Sequence, residues 1–263
     1  MCTLSSDFGL LSLVIPLYSE AQNVAPLVAA MDDALKEFTC EIILVDDGSN
    51  DDTFKVLQQL FHPNCILIQL DKNYGQSVAL AAGIDHAQGE YIVTMDGDLQ
   101  NDPADIPMML EKAKNGHWDV VAGIRAQRKD PILKIIPSKI ANYIIRKSTK
   151  LDIKDLGCAL KVLTKTTAKN LNLYGGMHRF ILLLAHLNGA RFTQVEVHHK
   201  PRKMGVSKYG LKRTFNVIKD LMVLLIVQKS KKKSLSVFGR WILQNYNTAR
   251  LKTYYRVKNS RDK

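Results

Sequence analysis

Short apolar runs alternate with amphipathic stretches through the first half of the chain. Leu10–Leu17, Glu41–Val45, Ile66–Leu70, Ile92–Met95 and Trp118–Gly123 read as strands, the first of them broken at Pro16. Between them lie helical patterns: a stripe of Leu27, Met31 and Leu35, a segment through Val56 and Leu60, a small-residue stretch from Ser77 to Ala87, and Pro103 to Lys114. Strands alternating with helices of this length predict an α/β protein, a mostly parallel sheet with helices on both faces. In such sheets ligands sit at the carboxyl ends of the strands. Asp46, Asn73, Asp96 and Arg125 all follow strand ends, so they are expected to share one crevice.

Beyond Arg125 the pattern is looser. Residues 132–150 read as a basic helix, Ala159–Leu163 and Gln194–His199 as strands, and Met177-His178-Arg179-Phe180 as the opening of an apolar helix. Leu211, Phe215, Ile218, Met222 and Leu225 recur at helical spacing with Lys212, Arg213 and Lys219 between them. That is the pattern of a helix lying in a membrane headgroup plane or packed on the body. The expected organisation is a domain over 1–210, an amphipathic helix over 211–228 and a basic aromatic tail over 229–263.

Charge sharpens this division. The chain of 263 residues carries a net +12, and residues 229–263, with eleven Lys or Arg against one Asp, hold +10 of it. A nearly neutral body with a strongly basic tail points to an anionic membrane surface or nucleic acid. Trp241, Tyr246, Tyr254 and Tyr255, interleaved with cations, suit either partner. The body carries no nucleic-acid motif, which disfavours the second. No secretory leader and no eighteen-residue apolar run are evident, so a cytoplasmic, peripheral protein is expected. The four cysteines have no metal or redox spacing and read as reduced; Cys158 reads as packing, and His198 and His199 as structural.

The candidate chemistry begins at Asp96-Gly97-Asp98. Two carboxylates on a short arc after a buried strand suit Mg²⁺ or Mn²⁺ carried on a diphosphate. If strand geometry continues, both project the same way, and Gly97 admits a ligand close to the backbone. No glycine-rich dinucleotide loop or P-loop follows the first strand, so phosphates would be held by metal and cationic side chains. Arg125 can clamp a phosphate with its fork, and Arg202 and Lys208, with Ser207 and Tyr209 around Gly205, form a loop able to close over one. His178 and Arg179 are further candidates near phosphate.

Pro16-Leu17-Tyr18-Ser19-Glu20, Val45-Asp46-Asp47-Gly48-Ser49, Asn73-Tyr74-Gly75-Gln76 and Asp96-Gly97-Asp98-Leu99-Gln100, in this order, resemble the family-two glycosyltransferases of GT-A (Rossmann-like) fold. Asp155-Leu156-Gly157-Cys158, His178-Arg179-Phe180 and the Arg202 to Tyr209 loop look like the polyprenyl-phosphate branch, the class of dolichyl-phosphate mannose synthases and undecaprenyl-phosphate sugar transferases. The resemblance covers roughly residues 10–228. Many bacterial members of the branch continue into transmembrane helices, where this chain has its basic tail.

The resemblance implies that Pro16, Tyr18 and Glu20 line the nucleotide base and Asp46 contacts base or ribose. It places Asp96 on the ribose and metal side, with Asp98 as chief ligand of the ion and Gln100 as a neutral oxygen ligand. Asp155 would face the acceptor. The implied reaction is inverting transfer of a sugar from a UDP- or GDP-type nucleotide diphosphate sugar to a polyprenyl phosphate. A soluble or protein-bound saccharide as acceptor, or a non-catalytic nucleotide-sugar binder, stand as alternatives. A hydroxyl acceptor needs a general base; a phosphate monoester, with a second pKa of about 6, is already an oxyanion near neutrality.

Overall fold

The apolar runs become the strands of one sheet, each ending in the polar turn that follows it in sequence. In the computed structural model, residues 8–60, 64–125, 151–201 and the backbone of 257–261 are described. The elements are β1 (Leu11–Leu17), α1 (Ala21–Leu35), β2 (Cys40–Asp46), α2 (Thr53–Gln59), β3 (Cys65–Leu70), α3 (Gln76–His86) and β4 (Tyr91–Thr94). They continue with α4 (Ile106–Asn115), β5 (Val120–Arg125), β6 (Lys161–Thr164), α5 (Lys165–Lys169), α6 (Ile181–Leu187), β7 (Phe192–Val197) and β8 (Val257–Arg261). Short 3₁₀ turns at Pro103–Asp105 and Met177–Phe180 lead into α4 and α6. The expected helix over 132–150, the amphipathic helix over 211–228 and the loop bearing Arg202, Ser207, Lys208 and Tyr209 lie outside the described residues.

The strand order is β7-β5-β6-β4-β1-β2-β3-β8. β1 pairs in parallel with β2 and β4, β2 with β3, and β5 with β7. β6 runs antiparallel between β4 and β5, and β8, from the basic tail, pairs antiparallel with β3. The chain steps from β1 through β2 to β3 on one side, then crosses to β4 on the other. The switch in winding at β1 and β4 opens the crevice that α/β sheets use for ligands.

Alternation along each strand sorts the core into two layers. Val14, Ile43, Val45, Ile68 and Ile92 pack against α3 and α6; Leu11, Leu13, Ile15, Ile42, Leu44 and Val93 pack against α1, α2 and α4. Each fully buried Leu or Ile here stabilises the fold by about 1.5–3 kcal/mol.

Pro16 does not break β1. Met95 N donates to Val14 O, and Asp47 N to Leu17 O, so alternate residues of β1 face β4 and β2. By that alternation Pro16 turns its nitrogen toward β4, beyond Thr94, the last residue paired there, so the missing N–H forfeits no ladder bond.

At the site end, backbone meets backbone. Gly48 has φ +64°, and a Cβ there would lie 2.3 Å from the Lys72 carbonyl carbon. Gly75 has φ +93° with open space around it. Replacement of Gly48 by Ala is therefore expected to add a clash to the strain of about 1–3 kcal/mol that Gly75→Ala alone incurs. Thermal unfolding of the two variants checks this; equal losses would remove the close approach as the reason for Gly48.

Candidate active site

The crevice is built from three groups of residues at strand ends. After β1 and β2 the chain is cross-tied: Ser19 N donates to Ser49 Oγ (2.8 Å), Glu20 N to Thr53 Oγ1 (2.9 Å), and Asn50 Nδ2 to Tyr18 Oη (3.3 Å). The Glu20 carboxylate accepts from Asn23 Nδ2 at 2.5 Å. Asp46 is fully buried, accepts from Ser49 N at 3.1 Å, and leaves Oδ2 without a hydrogen-bond partner among the described residues. Burial pushes its carboxyl up, opposed by hydrogen bonds from Ser49 and Gln69. Asp47 spans to the next loop, accepting from Tyr74 N and Gly75 N at 2.8 Å each. Burial raises its pKa to about 6, against the pull of those two donors. Between these loops lies a groove of about 330 Å³, lined by Gly48 to Asn50 and Gln69 to Asn73.

The carboxylate turn follows β4. The strand ends at Thr94, so strand alternation does not carry to Asp98. Instead Asp98 Oδ1 accepts from Gln100 N (3.2 Å) in a turn that takes Leu99 to φ +60°. Asp96 Oδ1 accepts from Gln76 Nε2 at 2.6 Å, which ties the turn to the start of α3. The glycine between them serves packing as well as access: a Cβ on Gly97 would lie 2.2 Å from Leu17 Cδ2. Gln100 Nε2 donates to Lys200 O (3.3 Å), which leaves Oε1 as the acceptor end of the amide.

Among the described residues no three His, Cys, Asp or Glu side chains gather into a metal cage. The donor set is two carboxylates and one amide oxygen on a single turn. That fits a hard divalent ion sharing its remaining positions with phosphate oxygens and water.

The third group joins β5 to the turn before β6. Arg125 Nε and Nη2 donate to Asp155 Oδ2 and Oδ1 at 2.7 and 2.9 Å, and Arg125 N adds a bond at 3.3 Å. Gly157 N donates to Asp155 Oδ1 at 2.9 Å, and Gln194 Nε2 holds the Asp155 carbonyl at 2.8 Å. Sequence alone offered Arg125 as a phosphate clamp and Asp155 as an acceptor-facing carboxylate; the structure brings each to the other as a bidentate pair. Both are largely buried, with side-chain exposures of 12% and 7%.

Three further residues enter that sequence reasoning passed over. Lys161 stands opposite Thr94 and Ala122, is 2% exposed, and donates from Nζ to the Cys158 carbonyl. Burial pushes its ammonium pKa down, while the charges of Asp96 and Asp155 oppose that shift. One lysine in the strand-like run Ala159–Leu163 was the available signal. Gln76 binds Asp96, as given above. Ser77, fully buried, accepts from His178 N (3.0 Å) and contacts His178 Nδ1 (2.8 Å), so the Met177–Phe180 turn borders the crevice. Cys158 is buried and its thiol pKa is pushed up to about 11, in keeping with packing.

Comparison with known proteins adds three findings. Residues 12–169 match the family model described as Glycosyl transferase family 2. The chain is 40% identical over 237 residues to a dodecaprenyl-phosphate galacturonate synthase of Rhizobium johnstonii, covering 87% of this chain and 70% of that protein. It is 34% identical over 237 residues to an undecaprenyl-phosphate 4-deoxy-4-formamido-L-arabinose transferase of Pseudomonas savastanoi pv. phaseolicola, covering 88% and 70%. Among solved structures, glucosyl-3-phosphoglycerate synthase from Mycobacterium tuberculosis, in complex with Mn²⁺, UDP and glucosyl-3-phosphoglycerate, superposes with a TM-score of 0.67. It does so at 13% identity, over 83% of this chain and 79% of that one, a likeness of fold.

Proposed function

Since the chain belongs to glycosyl transferase family 2, we propose that it transfers a hexose-type sugar from a nucleotide diphosphate sugar to a polyprenyl phosphate, with inversion. The observation that carries this reading is the Arg125–Asp155 pair. A carboxylate that already accepts from a guanidinium fork and two backbone N–H groups is positioned and occupied. It serves poorly as the base a sugar hydroxyl would need. A phosphate monoester needs none, because its oxygen is already anionic near neutral pH. The names of the two bacterial relatives, both polyprenyl-phosphate sugar enzymes, support the same acceptor class.

In this reading Pro16, Tyr18 and Glu20 border the base, and the orphaned Asp46 Oδ2 accepts a donor from base or ribose. Asp96 faces the ribose side, and Asp98 and Gln100 hold Mg²⁺ or Mn²⁺. The ion, when bound, neutralises charge on the leaving diphosphate. Lys161 and Arg125 offset the carboxylates so that an anionic acceptor can approach. The acceptor oxygen forms a bond to the anomeric carbon as the bond from that carbon to the diphosphate breaks, and the nucleoside diphosphate leaves. Arg202, Lys208, Ser207 and Tyr209 are assigned to phosphate closure.

No helix among the described residues is long and apolar enough to cross a membrane. The basic tail and the apolar-striped stretch 211–228 are assigned to peripheral binding on the cytosolic face. The protein should co-sediment with anionic vesicles at low salt and be partly released at high salt; salt-independent sedimentation, or none, would remove that assignment.

The test of the reaction is incubation of the purified chain with Mn²⁺, a panel of UDP- and GDP-sugars, and either a short polyprenyl phosphate or soluble saccharides. A glycosylated lipid phosphate is the expected product. Transfer to saccharide hydroxyls with the lipid phosphate untouched would overturn the acceptor assignment.

A further inference from the structure

Beside the crevice, the segment that follows β7 is clasped to the carboxylate turn and the 3₁₀ turn after it by six contacts. His198 N donates to Asp105 Oδ2 at 2.7 Å, and His198 Nδ1 lies 2.7 Å from Asp105 Oδ1. Lys200 Nζ lies 2.6 Å from Asp102 Oδ2, and Asn101 and His199 form an isolated antiparallel bridge. Lys200 N donates to Gln100 O (2.8 Å) and Gln100 Nε2 donates back to Lys200 O (3.3 Å). One residue, Lys200, therefore fixes both the main chain and the side-chain amide of Gln100.

What anchors Lys200 is two residues upstream. Its own ion pair with Asp102 has the lysine half exposed, and such pairs hold weakly. Asp105 is different. It is 6% exposed, sits on the 3₁₀ turn that enters α4, and α4 is rooted in the core through Ile106, Met109 and Leu110. Both its oxygens go to the same residue, His198, whose ring pKa its carboxylate raises. A glutamine side chain is otherwise free to sample several rotamers, and fixing it carries an entropic cost that must be met before binding.

We propose that Asp105 is a positioning residue of this site: by gripping His198 it fixes residues 198–200, which hold the Gln100 amide with Oε1 free for the divalent ion. The inference rests on the proposed function only in taking Gln100 as a ligand of that ion. Groups that orient a metal's ligands typically affect its affinity by about 10–100-fold. Their loss is repaired by excess metal, whereas loss of a reacting group is not.

The experiment uses the full chain and two probes, Mn²⁺ and UDP. Binding of Mn²⁺ in the presence of UDP is followed by electron paramagnetic resonance, and the Mn²⁺ dependence of turnover is measured alongside. Asp105→Ala is expected to raise the half-saturating Mn²⁺ about tenfold or more in both measurements, with a smaller change in kcat at saturating Mn²⁺. Asp105→Asn, which keeps an acceptor for His198 N, should fall between it and the unaltered chain. Gln100→Ala should give a comparable shift, and the double variant no further one, because both act through the same amide.

A fall in kcat with unchanged Mn²⁺ dependence, or additive effects in the double variant, would overturn the proposal. Should Asp105→Ala not fold, His198→Ala, which removes an exposed ring, must still weaken Mn²⁺ binding; no shift there would overturn it equally. An unaltered chain that turns over without response to Mn²⁺ or chelator would sink the metal reading itself. A metal response that Asp105→Ala leaves unmoved would sink only this one.

Discussion

Asp98→Ala is expected to reduce transfer by roughly 10²–10⁴-fold. A divalent ion contributes several kcal/mol of charge stabilisation to a leaving diphosphate, and each 1.36 kcal/mol is about tenfold in rate. Asp98 supplies the main charged ligand in the proposed site. The fold should survive, because Asp98 lies at the rim of the crevice and its one hydrogen bond among the described residues, from Gln100 N, contributes only about 1 kcal/mol. Turnover at titrated Mn²⁺ and thermal unfolding separate the two effects. Undiminished turnover, or turnover indifferent to excess chelator, would end the metal assignment for this turn.

The second large effect is expected at Asp155, and it falls on stability as well as rate. Asp155→Ala removes the bidentate partner of the Arg125 guanidinium, whose side chain is 12% exposed. Breaking one partner of a buried pair costs about 3–5 kcal/mol, which in a chain of this size is on the order of a ten-degree fall in Tm. Arg125→Ala should be similar. The double variant should lose less than the sum, because neither charge is then left alone.

Asp155→Asn keeps the shape and separates the acceptor chemistries. A phosphate acceptor predicts a moderate loss that raising pH above about 7 does not specifically rescue; a hydroxyl acceptor predicts loss of ~10²–10⁴-fold. A residual rate of a tenth or more argues for the phosphate.

The parallel core was legible in the sequence because strands buried on both faces read as continuous apolar runs, and each ended in a turn with its own polar signature. The turns proposed for the donor were legible for the same reason: Asp46 closes β2 and Asp96 follows two residues after β4. The partnership of Arg125 with Asp155 was not legible. Thirty residues separate them, and their meeting depends on β6 entering the sheet antiparallel, which no local pattern announces. Lys161 was missed because one lysine in an apolar strand looks like an exposed edge position; only its place between β4 and β5 buries it. Pro16 looks like a breaker in the sequence because its missing N–H is harmless only where β4 has already ended, which the local pattern does not show. β8 was invisible, since Val257-Lys258-Asn259-Ser260-Arg261 has no apolar alternation and pairs through its backbone with the edge of β3.

The insertion of β6 also sets the order in which the molecule can be finished. β5 touches no earlier strand: its neighbours in the sheet are β6 and β7, both made later. A chain emerging from the ribosome as far as Arg125 can complete β1 to β4 through short-range crossovers, yet β4 then stands as an open edge of unpaired backbone. Only when Lys161–Thr164 has been synthesised is that edge covered and β5 recruited. The half of the crevice assigned to the nucleotide is thus assembled early from local contacts. The half assigned to the acceptor arrives in one later docking event, and a nascent chain halted between the two would carry a sticky sheet margin in place of an active site.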